Sequence, residues 1–346
     1  MANLGTEQRD SYLGFELARA ARKTVEEFLP VKAGENVVVT ADSGSDSRVV
    51  SAVAEAAYAA GAHPIVVWYE TMPEATMEPP APVAAAIKAA DVWYEFSVQY
   101  LLYTNARMEA TKAGCRHTSL EGMDVDMMVK TIGRVDYPTM RELGERLRNL
   151  CNAAEVVRIT DPNGTDLVCP IDKNPPRYLP GTGEPGQGFS LLLGGQSSFS
   201  AIVDNVQGTI VFDGCIWPPA EIGPLTSPVR LTIENGAIAS VDGGPQAVLF
   251  DRWLSKFDSH VLRTIAHLSF GFNPGVEGIT GRILVDERVF GCMNIGFGPQ
   301  RLGSPSHTDG VLLRPSIVAD GVEIEREGVY VHPDLVELCQ RLGVTA

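Results

Sequence analysis

Asn36-Val-Val-Val-Thr40, an Ala- and Val-rich stretch over 47–60, then Pro64-Ile-Val-Val-Trp-Tyr69: this passage decides the fold of the 346-residue chain. The two flanking runs are continuous and rich in β-branched residues, as strands buried on both faces require. The stretch between them has the composition of a helix. Working outward, a helix over 10–29 comes first and one over 83–90 precedes Asp91-Val-Trp-Tyr-Glu-Phe96. Another helix leads to His117-Thr-Ser-Leu120, and one over 137–151 closes the series. Strands that alternate with helices predict an α/β domain with a mostly parallel sheet covered on both faces.

Beyond about residue 153 the texture changes to short β runs separated by Gly, Pro and Asn. Glu155-Val-Val-Arg-Ile159, Asp166-Leu-Val-Cys169, Thr209-Ile-Val-Phe212 and Val229-Arg-Leu-Thr-Ile233 are the clearest. Asn235-Gly236 supplies the dipeptide of a tight hairpin turn between 230–233 and 238–241. Helices are expected over 246–256 and 333–342, and Pro175 to Gly188 reads as a long Pro/Gly-rich loop, a kind that is often functional. The expected organisation is therefore an α/β domain over 1–152 followed by a mixed α+β, β-rich domain over 153–346.

With 45% hydrophobic and 21% charged residues the composition is that of an ordinary globular protein. A formal net charge of -15 without a basic stripe argues against nucleic-acid or anionic-membrane partners. The first ten residues lack the plan of a secretory signal, and no apolar run approaches the roughly 18 to 20 residues that span a bilayer, so a cytoplasmic location is expected. The six Cys are widely spaced without a C-x-x-C pair, which predicts reduced, buried thiols.

Candidate chemistry concentrates near the C-terminus. His267 lies in His267-Leu-Ser-Phe-Gly-Phe-Asn-Pro274, while His307 and Asp309 lie in Ser304-Pro-Ser-His-Thr-Asp-Gly310. In an extended segment residues i and i+2 face the same way, so His307 and Asp309 can reach one ion from one strand. Two imidazoles and a carboxylate, with positions left open, form the arrangement of non-haem Fe(II) oxygenases. His260 stands seven residues before His267, a helical spacing that makes it a reserve ligand. Elsewhere, Ala41-Asp-Ser-Gly-Ser-Asp-Ser47 follows a strand and opens a helix, but it matches no phosphate-binding motif and carries carboxylates, so it reads as a helix cap. Neither G-x-S-x-G nor H-E-x-x-H occurs.

The segments Ile265-Ala-His-Leu-Ser-Phe-Gly-Phe-Asn-Pro274, Asp286-Glu-Arg-Val-Phe-Gly-Cys-Met-Asn-Ile-Gly-Phe-Gly298 and Ser306-His-Thr-Asp-Gly310 resemble the C-terminal signature of the aminopeptidase T family of metallopeptidases. They are more similar still to its ring-cleaving relatives, the 2,5-dihydroxypyridine 5,6-dioxygenases, and the resemblance runs weakly over nearly the whole chain. In the peptidase pattern a Glu stands at the position of His267 and a His near that of Asn294, and both help hold two ions. The dioxygenase pattern implies one Fe(II) on His267, His307 and Asp309, consistent with too little negative charge for two close cations. The chain departs from that pattern at Tyr103, which follows Leu101-Leu102 where the dioxygenases have a His, and near Ser190, where a second His is replaced. Tyrosine is a poor general base at neutral pH.

The resemblance implies a ring-cleaving dioxygenase of extradiol type acting with O2 on a small hydroxylated aromatic or N-heterocycle. In this picture Tyr103 and Glu184 orient substrate or relay a proton, and the protein assembles as a homo-oligomer, as acidic enzymes of this size commonly do. Two alternatives stand beside it. The same site with Zn2+ or Mn2+ would make a metallohydrolase, and a chain that takes up no metal would be a binding protein on the same scaffold.

Overall fold

The computed structural model of the protein describes residues 11–174, 191–257, 260–300 and 306–345. Two compact units divide them: one holds described residues 11–135 and 191–193, the other those of 136–174 and 194–345.

In the first unit β1 (Asn36–Asp42), β2 (His63–Tyr69), β3 (Val92–Glu95), β4 (Arg116–Ser119) and β7 (Leu191–Leu192) form a five-stranded sheet in the order β2-β1-β3-β4-β7. Every neighbouring pair is parallel, as the continuous apolar runs predict. Val37, Val39, Val92, Trp93 and Tyr94 are wholly buried in the central strands, each burial worth about 1.5–3 kcal/mol. Edge strand β2 is far more exposed. The crossover from β1 to β2 is the helix Ser47–Ala59, and the Asp46 carboxylate accepts from the Arg48 backbone N–H at 3.0 Å. This is the capping role expected of the 41–47 loop, since an N-terminal carboxylate satisfies a free helix N–H and faces the positive end of the dipole.

The second unit is built from two antiparallel sheets. The larger has eight strands in the order β13-β12-β9-β6-β5-β17-β18-β19. They span β5 (Val156–Thr160), β6 (Asp166–Pro170), β9 (Gln207–Phe212), β12 (Val229–Glu234), β13 (Ala237–Gly243), β17 (Ser316–Ala319), β18 (Val322–Arg326) and β19 (Val329–Tyr330). At the β12–β13 hairpin Asn235 and Gly236 both take positive φ, 51° and 71°, the backbone that the Asn-Gly signal anticipates. The smaller sheet has six strands, β8 (Gln196–Phe199), β10 (Cys215–Trp217), β11 (Gly223–Pro224), β14 (Ile265–Gly271), β15 (Cys292–Phe297) and β16 (Thr308–Leu312), in the order β11-β10-β16-β15-β14-β8. Phe212 of the larger sheet meets Phe297 of the smaller edge to face at 6.4 Å, and its ring fills the space where a Cβ on Gly310 would lie.

The helix Tyr137–Ala153 packs on β8 and on the C-terminal helix Pro333–Arg341, so it belongs to the second unit. The sequence boundary at 152/153 and the unit boundary at 135/136 differ by this helix, and residues 191–193, which pair with β4 as β7, also fall in the first unit. The helix's buried stripe of Leu143, Leu147 and Cys151 reveals that one face is covered but not by which partner. All six Cys are free and buried. Among the described residues no helix is long and apolar enough to cross a membrane.

Candidate metal centre

Strands β14, β15 and β16 lie side by side, and their register sets His267 opposite Gly296 and Gly296 opposite Asp309. Residues directly opposite in an antiparallel pair point to the same face, so these three form one row across the sheet. The middle member has no side chain. A Cβ on Gly296 would lie 2.1 Å from His267 Nε2, which means that the imidazole rests over the glycine and reaches toward Asp309. His307 stands just before β16, two residues from Asp309, and enters from the same side as the i, i+2 rule requires.

The row exists because β14 is irregular. Ile265 pairs with Phe297 and His267 with Gly296, so two steps on β14 answer one step on β15. Phe297 faces the core between the sheets, whereas Gly296 faces away from it, and a regular strand would send residues 265 and 267 to the same side. The β-bulge re-aims His267 away from the core.

Three donors converge. His267 Nε2 lies 3.1 Å from Asp309 Oδ1, His307 Nε2 lies 3.3 Å from Asp309 Oδ2, and the two Nε2 atoms are 3.3 Å apart. One ligand atom from each residue falls within 4.8 Å of the others, the one such group of His, Cys, Asp or Glu among the described residues. The other nitrogen of each ring is already occupied. His307 Nδ1 donates to the Gly298 carbonyl at 2.6 Å, which places the proton on Nδ1 and leaves the Nε2 lone pair facing inward. His267 Nδ1 bonds Ser269 Oγ at 2.8 Å, and Ser269 bonds Ser198 Oγ at 2.7 Å. Outer partners of this kind fix the tautomer and orientation of metal-binding imidazoles.

A second row, Ser198–Ser269–Asn294–Val311, runs parallel to the first on the same face. The buried Asn294 Nδ2 donates to Asp309 Oδ1 at 3.0 Å and to Glu287 Oε2 at 2.8 Å. Glu287 also accepts from Gln196 Nε2 at 3.1 Å and pairs with the buried Arg288 guanidinium. Burial raises the Glu287 carboxyl above its ordinary range, and Arg288 opposes that rise. For Asp309 burial acts upward as well, but the two imidazoles outweigh it and hold the acid well below the usual carboxylate range. Burial pushes His307 down, but Asp309, the Gly298 carbonyl and Glu287 together raise it overall. The His307 Nε2 lone pair faces His267 Nε2 at 3.3 Å beside the Asp309 carboxylate, an arrangement in which a positive charge among the three groups is favourable. The donor set therefore suits a divalent cation, and nitrogen and carboxylate oxygen are ligands that iron, zinc and manganese all accept.

Of the residues singled out from sequence, the fold brings His267, His307 and Asp309 together. His260 is exposed on a short 3-10 turn while His267 is in a strand, so the helical spacing between them has no meaning here. Tyr103 lies in the first unit, half-buried and edge to face with Tyr100 at 6.2 Å. Buried side chains pin its turn: Glu95 Oε1 accepts from Leu101 N–H at 2.6 Å, and Arg107 Nε donates to the Leu102 carbonyl at 2.8 Å. Burial pushes the Glu95 carboxyl up to about 8 and drives the neighbouring His117 well below the ordinary imidazole range. Glu184 lies outside the described residues. Sequence reasoning missed Gly296, Ser269, Asn294 and Glu287 as parts of the cluster. The one signal for them was Asn294 at a position where the peptidase pattern has a ligand.

A family model described as NicX: 2,5-dihydroxypyridine 5,6-dioxygenase matches residues 17–332. The chain belongs to this family. Its resemblance to that branch, read first from the segments around His267, Asn294 and His307, thus holds over most of the sequence. Among solved structures, the NicX-family chain is similar to the 2,5-dihydroxypyridine dioxygenase from Pseudomonas putida KT2440, with a TM-score of 0.74 at 18% identity over 95% of this chain and 100% of that one. It is also similar to AmpT from Thermus thermophilus, with a TM-score of 0.66 at 15% identity over 92% of this chain and 100% of that one. No curated protein matches it significantly. At these identities the structural likenesses establish the shared fold, and the family assignment rests on the sequence model.

Proposed function

We propose that the protein is an Fe(II)-dependent, ring-cleaving dioxygenase of extradiol type acting on a small hydroxylated aromatic or N-heterocycle of the 2,5-dihydroxypyridine kind, with His267, His307 and Asp309 as the metal ligands. The observation that carries this reading is the convergence of two imidazoles and one carboxylate over the bare Gly296, in a chain of a dioxygenase family. His267, His307 and Asp309 would hold a divalent ion and leave some of its positions open to other molecules.

When bound, Fe(II) supplies the redox chemistry that lets an electron-rich ring react with O2. The protein's own groups do the rest. Ser269 and the Gly298 carbonyl keep both imidazoles turned inward, and Asn294 holds the Asp309 carboxylate in place. From the resemblance, Tyr103 and Glu184 are assigned to orienting substrate or relaying a proton. The assembly is a homo-oligomer.

Anaerobic purification with metal analysis tests the reading. About one iron per chain and O2 uptake dependent on 2,5-dihydroxypyridine or a related ring support it. Hydrolysis without O2, by a zinc- or manganese-loaded protein, would replace it with the metallohydrolase alternative. A wild-type protein that binds no stoichiometric metal would replace both with a binding protein.

A further inference from the structure

His307 is held at both ring nitrogens by the segment that follows β15. Its Nδ1 donates to the Gly298 carbonyl at 2.6 Å, and the side-chain amide nitrogen of Gln300 lies 3.1 Å from its Nε2. With the ring proton on Nδ1, Nε2 is the acceptor and the Gln300 amide is its donor. The two grips have opposite consequences for an ion. A bond at Nδ1 leaves the ligand atom available, whereas a bond at Nε2 uses it. That nitrogen has a single in-plane lone pair, and a ligand distance of about 2.1 Å puts an ion where the amide hydrogen now points. His267 Nε2 and Asp309 Oδ2 also approach this atom, each at 3.3 Å, but both can share an ion with it. An amide N–H offers a cation nothing. Gln300 is half-buried, just beyond the end of β15 at Phe297, so its amide can exchange His307 for water.

We propose that Gln300 is an internal competitor for the metal: its amide N–H holds the His307 lone pair, and an ion binds only to molecules in which that amide has let go. The observed affinity is then the affinity of the open arrangement reduced by the fraction of molecules that adopt it. The net strength of one intramolecular hydrogen bond makes that reduction about three- to tenfold. Gln300 thus sets how readily the site takes up and releases its ion without being a ligand itself. This inference rests on the reading of His267, His307 and Asp309 as a metal site.

The test titrates the full-length protein with Fe(II) alone, under anaerobic conditions and in competition with a chromophoric chelator, so that binding is measured instead of turnover. Gln300→Ala removes the amide, and Gln300→Leu removes the donor while keeping most of the bulk. Both variants are expected to bind Fe(II) about three- to tenfold more tightly than the wild type. Equal affinity overturns the proposal, because the contact then does not compete. Weaker affinity overturns it as well, because Gln300 would then support the bound ion. Tightening in only one of the two variants has the same effect, since loss of the donor is common to both. A protein that takes up no Fe(II), as wild type or as variant, removes the metal reading and this inference with it, whereas wild-type uptake that the variants do not tighten removes the inference alone.

Discussion

Replacing Gly296 by Ala adds one methyl group at the centre of the cluster. Its Cβ would stand 2.1 Å from His267 Nε2, 2.5 Å from Cδ2 and 2.8 Å from Cε1. Ordinary non-bonded contacts between such atoms begin near 3.5 Å, so the ring must retreat by more than about 1 Å. Metal–ligand distances tolerate only about 0.2 Å, and a ligand displaced that far is lost. Disturbing merely an outer partner costs 10–100-fold in metal affinity, so the loss here is expected to be at least about 100-fold, or roughly 2.7 kcal/mol. The fold should survive. Gly296 is not among the residues with positive φ, and His267 is only half-buried and can swing outward. A Gly→Ala change at a compatible site contributes about 0.4–1 kcal/mol of stability through the unfolded chain. Competition with a chelator and thermal unfolding without metal measure the two effects separately. Because the harm passes through His267, Gly296→Ala combined with His267→Ala should bind metal no worse than His267→Ala alone. Wild-type metal affinity in Gly296→Ala would refute the placement of His267 in the site.

Ser269→Ala removes the partner of His267 Nδ1 and is expected to weaken metal binding by about 10–100-fold with little change in melting temperature; unchanged affinity would exclude Ser269 as the group that orients the ring. Asp309→Asn or His307→Ala should abolish stoichiometric metal, read by elemental analysis, and full iron occupancy in either would sink the ligand set. Glu325 is fully buried, neither of its oxygens has a partner among the described residues, and burial raises its pKa well above the ordinary range. The native state keeps that proton while the unfolded chain releases it above about pH 4.3, so this residue lowers stability progressively as pH rises toward its folded value. Glu325→Leu should therefore stabilise the protein by about 1–3 kcal/mol, with a larger gain in melting temperature at pH 8 than at pH 5. A gain that shrinks with rising pH would contradict the burial argument.

The parallel sheet was legible because continuous β-branched runs such as Val37-Val38-Val39 have no other comfortable place than a strand covered on both sides. The Asn235-Gly236 hairpin was legible for a different reason, since few other residues adopt two consecutive positive φ angles. His307 and Asp309 could be joined from sequence because their relation is local. His267 could be grouped with them by residue type, but only resemblance supported the grouping, as its partner strands are fixed by pairing across 40 residues of chain. The bulge at 265–267 is a property of that pairing and leaves no mark in the one-dimensional pattern. Gly296 was equally silent. A glycine in a strand reads as a weak point until the ring that covers it is known. The helix Tyr137–Ala153 was legible as a helix but its packing partner was not, since amphipathicity records burial and not identity of the partner.

The row formed by His267, Gly296 and Asp309 also has a meaning for assembly of the sheet. Three separate strands contribute to it, so no two of them make the site. A slip of β15 by one residue would bring Ile295 or Phe297 under His267 in place of the glycine and close the space for an ion. A bound cation would thus act as a proofreader of strand register. Its binding free energy goes only to chains in which β14, β15 and β16 have paired in the native alignment, and it raises the stability of that alignment over every shifted one.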